Sequence, residues 1–112
     1  MTPFAMSRHD NAGVSRLTIT GDLDSDTCAD VADLLIAAAH QHGVQEVVVD
    51  LRDTTFLAAA GVRALLRGRH AADSAGRAFR VVNATGVVHL VLRLSGVLGI
   101  LAVTSESDVT GG

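Results

Sequence analysis

The stretch VVVDLRDTTFLAAAGVRALL, residues 47–66, decides the fold. It opens with three consecutive valines, a run that is typical of a fully buried strand. A polar turn at residues 50–55 follows, and Phe56 and Leu57 then lead into an alanine-rich segment. From there Val62, Leu65 and Leu66 recur with the spacing of a helix. Because the first N–H groups of a helix lack intrahelical partners, we expect a binding site at this junction between strand and helix.

Composition narrows the classes of protein that the chain can belong to. Its 112 residues are 48% hydrophobic, which predicts one ordered domain with a modest core. Three Phe are the only aromatic residues and the net charge is −3, so no binding to nucleic acid is expected. All nine basic residues are Arg, which argues against phosphate-binding loops and Schiff-base chemistry that need Lys.

The same composition bears on location and redox chemistry. No apolar run reaches the length of a membrane span, and no signal-peptide pattern opens the chain. A single cysteine, Cys28, excludes an internal disulfide framework. We therefore expect a soluble cytoplasmic protein without membrane insertion.

Predicted strands and helices alternate along the chain. Residues 1–13 are a ragged start in which Phe4 and Met6 could form an edge strand, and predicted strands follow at 14–20, 47–50, 78–82 and 100–103. The first helix is capped by Asp24, Ser25 or Asp26, carries the apolar stripe Val31, Leu34, Leu35 and Ala38, and ends near a C′ residue at Gly43. The second helix covers about 59–74, the third runs from a Thr85 cap to Ser95, and residues 105–112 form a flexible tail.

Short connections between alternating strands and helices predict a mostly parallel sheet. In such a sheet the loops that leave the carboxyl ends of the strands share one edge. The loops at residues 22–26, 54–60 and 83–85 should therefore converge.

Three segments in this order resemble the STAS domains of the anti-sigma factor antagonist family: GDLDSDT at 21–27, VVVDLRDTTFLAAAG at 47–61, and LRLSGV at 92–97. The resemblance implies a single α/β domain over residues 14–104, with a mostly parallel sheet of four to five strands and about three helices. It also implies that the usual C-terminal helix is short or absent here. By the same resemblance, the protein is bacterial and regulates transcription by binding a serine-kinase-like anti-sigma factor, which frees a sigma factor.

The family's kinase phosphorylates a serine in the loop before the second helix, and that serine falls at Ala59. The flanking family residues fall at Ala58 and Ala60. Alanine has no hydroxyl, so the phosphorylation switch is missing. Thr54 and Thr55 carry the nearby hydroxyl groups, and we expect both to lie too deep in the loop for a kinase. The residues expected to contact the partner are Asp22, Asp24, Ser25, Thr55, Ala58, Ala59, Ala60, Gly61, Arg63 and Arg67.

Several residues of these segments invite other interpretations. The triplet Asp22, Asp24 and Asp26 does not fit a calcium loop, because Thr27 and Asp33 stand where such a loop needs Gly and Glu. Capping and partner contact are the remaining roles for these acids, and no metal or cofactor is expected. Asp50 and Asp53 are read as turn-forming carboxylates. Cys28 is in register with the apolar stripe and is read as a small core residue, with redox sensing as the alternative.

Two helix faces remain open to interpretation. Arg63, Arg67 and His70 form either a solvated face or a partner contact. Helix three is apolar on more than one side, which predicts either a wide core stripe or a second face near Val87, Leu90 and Leu94 that docks a partner or another copy. A homodimer through this helix is one outcome.

There is no nucleophile elbow, and no catalytic activity is expected. Two alternatives to the antagonist stand: a subunit of a lipid or solute transport complex, and a small-ligand or nucleotide-binding STAS domain.

Overall fold

A computed structural model describes residues 2–106 of the chain. In chain order the elements are β1 (Ala5–Asn11), β2 (Val14–Leu23), α1 (Cys28–His40), β3 (Glu46–Asp50), β4 (Thr54–Leu57), α2 (Ala59–Ser74), β5 (Ala78–Val82), α3 (Gly86–Leu94) and β6 (Val103–Thr104). The alternation of strands and helices confirms the α/β class. Within residues 2–106 no helix is long and apolar enough to cross a lipid bilayer.

The sheet has the strand order β1-β2-β3-β5-β6, and β4 pairs with β2 off this path. Only β1 is antiparallel to its neighbour, so the sheet is mostly parallel as predicted. It holds six strands rather than four or five. The strand that was not predicted is β4, because residues 54–57 were expected to be part of a loop. Strand β2 extends beyond its last pairing with β3, at Thr18 opposite Asp50, and β4 pairs with the remainder of β2 from Gly21 to Leu23.

The N-terminal segment is more regular than predicted. Strand β1 pairs with β2 from Ala5 opposite Thr20 to Asn11 opposite Val14. The two-residue turn between them places Ala12 at φ 54° and Gly13 at φ 82°. Two positive φ values in a two-residue loop match the twist of a tight hairpin. Within the segment predicted to be ragged, residues 5–11 therefore form an ordered hairpin strand that includes Met6 but not Phe4.

The core lies between one face of the sheet and helices α1 and α2. Leu17 and Ile19 of β2 alternate with half-exposed neighbours and face the helices, as the sequence pattern predicts. The valine run is fully buried, and Leu35 of α1 is among its neighbours in the core. At Gly68 of α2 an added Cβ would lie 2.7 Å from Leu35 Cδ1, so glycine is what allows the two helices to pack this closely.

Several predicted helix ends are wrong in detail. The N-cap of α1 is Thr27, because Asp24, Ser25 and Asp26 all belong to the preceding turn. Helix α1 ends at His40 with Gln41 as its C-cap, and Gly43, at φ 87°, lies in the turn before β3. Thr85 occupies the N-cap position of α3 but its side chain makes no capping hydrogen bond.

The final strand is also shorter than predicted. Residues 100–102 form a turn rather than a strand, with Leu101 N–H donating to Val97 O and Ala102 at φ 50°. Ile100 is consequently 54% exposed instead of buried. Strand β6 is only two residues long. Of the predicted tail, Glu106 is held by side-chain hydrogen bonds, and residues 107–112 lie outside the described part of the chain.

Candidate functional site

Two of the three loops predicted to converge meet directly at the carboxyl edge of the sheet. Thr55 Oγ1 donates a hydrogen bond to Asp22 Oδ1 at 2.7 Å, and Ala58 N–H donates to Leu23 O at 3.0 Å. The third loop contacts this edge through Asn83, whose Nδ2 lies 3.2 Å from Asp50 Oδ1. The end of β2 and the start of α2 therefore form one continuous surface.

Gly61 makes this close approach possible. A Cβ at Gly61 would stand 2.6 Å from Leu23 O and 2.7 Å from Leu57 Cδ1. Atoms do not come this close without a shift, and the first of the two is backbone. Gly61, which is predicted to contact the partner, is thus buried, and it holds α2 against the end of β2.

The first turn of α2 exposes backbone donors beside short side chains. Ala58 is extended at φ −91° and ψ 169°, its side chain cannot cap, and no acidic residue lies in the first turn. The first N–H groups of a helix have no carbonyl partners within the helix. Ala59 is exposed and Ala60 half-exposed, so these donors lie at a surface that a partner can reach.

The two threonines of β4 have opposite environments. Thr54 is buried, and its Oγ1 donates to Ile19 O at 2.7 Å. Thr55 is exposed, with its hydroxyl bound to Asp22. The expectation that both hydroxyl groups lie deep in the loop is correct for Thr54 and wrong for Thr55, because side chains alternate between the two sides of a strand.

The acidic turn before α1 is organised by its own hydrogen bonds. Asp24 Oδ1 accepts from Asp26 N–H at 3.0 Å, and Asp24 N–H donates to Thr27 Oγ1 at 3.0 Å. Asp22 and Ser25 are exposed beside this turn. The half-buried Cys28 donates its thiol to Ser25 O at 3.5 Å. The turn therefore presents a shaped, negatively charged border to the Ala59 surface.

Beyond its first turn, α2 adds positive charge to this edge. Arg63 and Arg67 are exposed one and two turns along the helix, and neither makes an ion pair within residues 2–106. The edge thus combines small apolar side chains and free N–H groups with a carboxylate turn and a row of guanidinium groups.

A second polar cluster, which sequence reasoning missed, lies on the face of the sheet opposite α1 and α2. Arg16 Nη2 is 2.6 Å from Asp50 Oδ2, and both Arg16 Nη atoms contact the Glu106 carboxylate, at 2.9 and 2.6 Å. Asn83, buried at φ 64°, donates to Asp50 and Glu106 and accepts from Glu106 N–H at 3.2 Å. The Arg16 cluster, as we call these four residues, ties the ends of three strands together.

The charges of the Arg16 cluster reinforce one another. Hydrogen bonds that Arg16 donates to the Glu106 carboxylate lower the pKa of Glu106 to about 2, and the same bonds raise the pKa of Arg16. Burial alone would raise the pKa of Asp50. Bonds from Arg52 N–H, Arg16 and Asn83 nevertheless hold that pKa below its ordinary value. Asp50 and Glu106, the partners of Arg16, lie 34 and 90 residues away in the chain. The sequence therefore offers only one sign of this cluster, the polar Arg16 within a predicted strand.

Helix α3 has the second apolar face that its sequence predicts. Val88 and Leu92 are fully buried against the sheet, whereas Val87, Leu90 and Leu94 are 47%, 39% and 76% exposed. The exposed three recur at i, i+3 and i+7, so they form one stripe. We call these three residues the α3 stripe.

These features define an STAS-type domain. They are a mostly parallel sheet with an antiparallel N-terminal strand, two helices on one face, and a short strand that leads into α2. The chain belongs to the family described as "Mlab, STAS domain", whose model matches residues 6–102. Comparison with curated proteins gives no significant match.

Solved structures share this fold at low sequence identity. An anti-sigma factor antagonist from Mycobacterium paratuberculosis superposes with a TM-score of 0.83 at 19% identity, covering 97% of this chain and 92% of that one. The antagonist SpoIIAA in its unphosphorylated form gives 0.76 at 17% identity, covering 96% and 93%. The murine anion transporter Slc26a9 gives 0.69 at 20% identity, covering 80% of this chain but 15% of the transporter. The fold is thus shared by separate antagonists and by one part of a transporter.

Proposed function

We propose that this protein is a regulatory binding module that acts as an anti-sigma factor antagonist without a phosphorylation switch. The observation that carries the proposal is the exposed Ala59 at the first turn of α2, where Asp22 is hydrogen-bonded to the preceding strand and Arg63 follows one helical turn later. A partner can approach the free N–H groups there without meeting a bulky side chain. The partner proposed is an anti-sigma factor of the serine-kinase type, and the function proposed is regulation of transcription in the bacterial cytoplasm.

The missing switch follows from the chemistry at residue 59. A phosphate at this position would lie on free N–H groups and the positive end of the helix dipole, which makes it a suitable place for a serine switch. Alanine accepts no phosphate. Thr55 is the exposed hydroxyl nearby, but its Oγ1 donates to the Asp22 carboxylate, which would repel a phosphate. Binding should therefore not depend on kinase activity.

The test begins with a pull-down from native lysate to identify the partner, followed by calorimetry with that purified partner. Ala59→Glu should remain folded, because a carboxylate in the first helical turn is stabilised by about 0.3–1 kcal/mol. Its affinity should fall roughly 100-fold, because an unpaired charge buried in a contact costs several kcal/mol. The matched control is Ala37→Glu, at an exposed alanine of α1.

The outcomes of this test separate the proposals. Equal affinities for wild type and Ala59→Glu, with both folded by circular dichroism, would place the partner elsewhere and remove the antagonist proposal. Mass spectrometry after incubation with the kinase and ATP should find no phosphate on wild-type protein. Stoichiometric phosphate on Thr55 would contradict the switchless mechanism.

A subunit of a lipid or solute transport complex is the second candidate. It is supported by the likeness to part of a transporter and by the α3 stripe, which offers apolar contact area. In that case the pull-down should recover a transporter ATPase or permease, and Leu94→Glu should release it. The α3 stripe also supports a homodimer, for which Leu90 is the more central position.

Small-ligand binding is the third candidate. A cavity of about 590 Å³ lies between the start of α3 and the end of the sheet, lined by Thr85, Gly86, His89 and Thr104 among others. Mass spectrometry of natively purified protein should then show a bound small molecule and no protein partner.

A further inference from the structure

Helices α1 and α2 are separated at the surface by a groove that runs along most of their length. Its wider part has a volume of about 420 Å³, with Ile36, Leu66 and Ala71 as an apolar floor and His40, Arg67 and His70 at the rim. Its narrower part, about 170 Å³, is lined by Cys28, Ala60, Arg63 and Ala64. Arg67 borders both parts, so they lie end to end between the two helices, and together we call them the α1–α2 groove.

The groove is a consequence of small residues on α2. Gly68 lets the helices touch beneath the surface, against Leu35. Ala64 and Ala71 are buried and short, and they leave the space above them open. Ile36 and Leu66 stay half-exposed, so the floor presents apolar surface that nothing in residues 2–106 covers.

The rim is positively charged, although the chain as a whole carries a net charge of −3. Arg8, Arg69 and Arg80 all pair with carboxylates. Arg63 and Arg67 make no ion pair or side-chain hydrogen bond in the described part of the chain. No Asp or Glu of residues 2–106 lines either part of the groove. Two guanidinium groups thus line the groove, and no carboxylate of the described residues lines it with them.

The spacing of the rim favours an extended occupant over a small molecule. Arg63, Arg67, His70 and Ser74 recur along α2 at intervals of three to four residues, over roughly 16 Å of helix axis. A small ligand in the narrower part would meet both arginines but would leave the apolar floor at Ile36 and Leu66 uncovered. An α-helix laid along the groove would bring a carboxylate near each turn and its apolar stripe onto the floor.

We propose that the α1–α2 groove docks an acidic amphipathic helix of a partner protein, with Arg63 and Arg67 pairing its carboxylates. The inference rests on the proposed function, in that the helix belongs to the partner that contacts the Ala59 surface at the N-terminal end of the same groove. It adds the chemistry of that partner: an apolar stripe flanked by Glu or Asp.

The probe is a synthetic helical peptide of about 15 residues, with Leu at the i, i+3, i+4 and i+7 positions and Glu on both flanks. It is titrated into the full-length isotope-labelled protein and followed by NMR. Amide shifts should concentrate at Ile36, Leu66 and His70. The same peptide with Gln in place of every Glu should bind roughly tenfold more weakly, because the guanidinium groups would lose their counter-charges.

Variants locate the binding charge. Arg67→Glu should weaken binding of the acidic peptide roughly tenfold, because attraction becomes repulsion. Arg93→Glu is the matched control: Arg93 is likewise exposed and without an ion pair in residues 2–106, but it lies on α3. Its effect should stay within about twofold. Circular dichroism verifies that both variants are folded.

Three results would overturn the inference. Shifts confined to α3 or to the open face of the sheet would place the peptide elsewhere. Equal binding of the acidic and Gln peptides would make the groove an apolar contact without charge selection. Equal effects of Arg67→Glu and Arg93→Glu would mean that only overall charge matters. Independently, a partner whose affinity falls with Ala59→Glu but not with Arg67→Glu would preserve the proposed function and remove this inference.

Discussion

Replacing Gly61 with alanine tests how α2 is held against the end of β2. In an open helix this change would stabilise the protein by about 1 kcal/mol, because alanine has the higher helix propensity. Here the new Cβ would stand 2.6 Å from Leu23 O and 2.8 Å from Leu23 Cγ. Forcing a methyl group into a packed site costs about 3 kcal/mol when backbone must move. The shift also weakens the hydrogen bond from Ala58 N–H to Leu23 O, which contributes about 1 kcal/mol.

The expected net effect of Gly61→Ala is a loss of about 2–3 kcal/mol in the free energy of unfolding, or roughly 10 °C in Tm. Urea unfolding should be followed by circular dichroism, since the chain has no Trp for fluorescence. Gly99→Ala is the control, because its Cβ would meet nothing within 4 Å and its φ is not positive. A Gly61→Ala protein as stable as wild type would refute the close-approach argument.

Three further predictions concern other parts of the fold. Thr54→Val should lower the free energy of unfolding by about 1–2 kcal/mol, because it leaves a buried carbonyl without its donor. The exposed Thr55→Val should lower it by about 0.5 kcal/mol or less, and urea unfolding measures both. The lowered pKa of Glu106 contributes stability that is present above the ordinary value of 4.5 and is lost as pH falls toward about 2. Glu106→Gln should therefore flatten the acid limb of a pH-stability curve by about 1 kcal/mol, allowing for solvent screening. Leu90→Glu should fold normally and lower any self-association in sedimentation, whereas Leu92→Glu should unfold the domain.

Each of these predictions has a contrary result. Equal costs for the two threonine variants would mean that the buried hydrogen bond contributes little. An unchanged acid limb in Glu106→Gln would mean that its carboxylate is not paired in solution. A folded Leu92→Glu protein would contradict the burial of that side chain, and unchanged sedimentation of Leu90→Glu would remove the homodimer.

The parts of the fold that could be predicted from sequence are those with a strong local pattern. The valine run, the apolar stripe of α1 and the double-sided apolar pattern of α3 each specify one element and its burial. The meeting of the loops at residues 22–26 and 54–60 was predicted, because parallel strands place their following loops at one edge. These arguments need no knowledge of distant residues.

The parts that could not be predicted depend on pairing between distant segments. Strand β1 is largely exposed, so it lacks the apolar alternation that identifies strands, and its order comes from pairing with β2. Strand β4 forms because β2 extends beyond β3, which no pattern within residues 54–57 indicates. The Arg16 cluster joins four residues from separate segments, and its geometry exists only after the sheet has formed.

The Arg16 cluster also has a consequence for the order of folding. The β1–β2 hairpin joins neighbours in the chain and can form within microseconds. The contact between Arg16 and Glu106 closes a loop of 90 residues and needs β2, β3 and β5 to be paired in register first. It can therefore form only late, after the crossovers are complete. Contacts that are absent from the folding transition state affect the unfolding rate. We therefore expect the cluster to slow unfolding of the domain without speeding its folding.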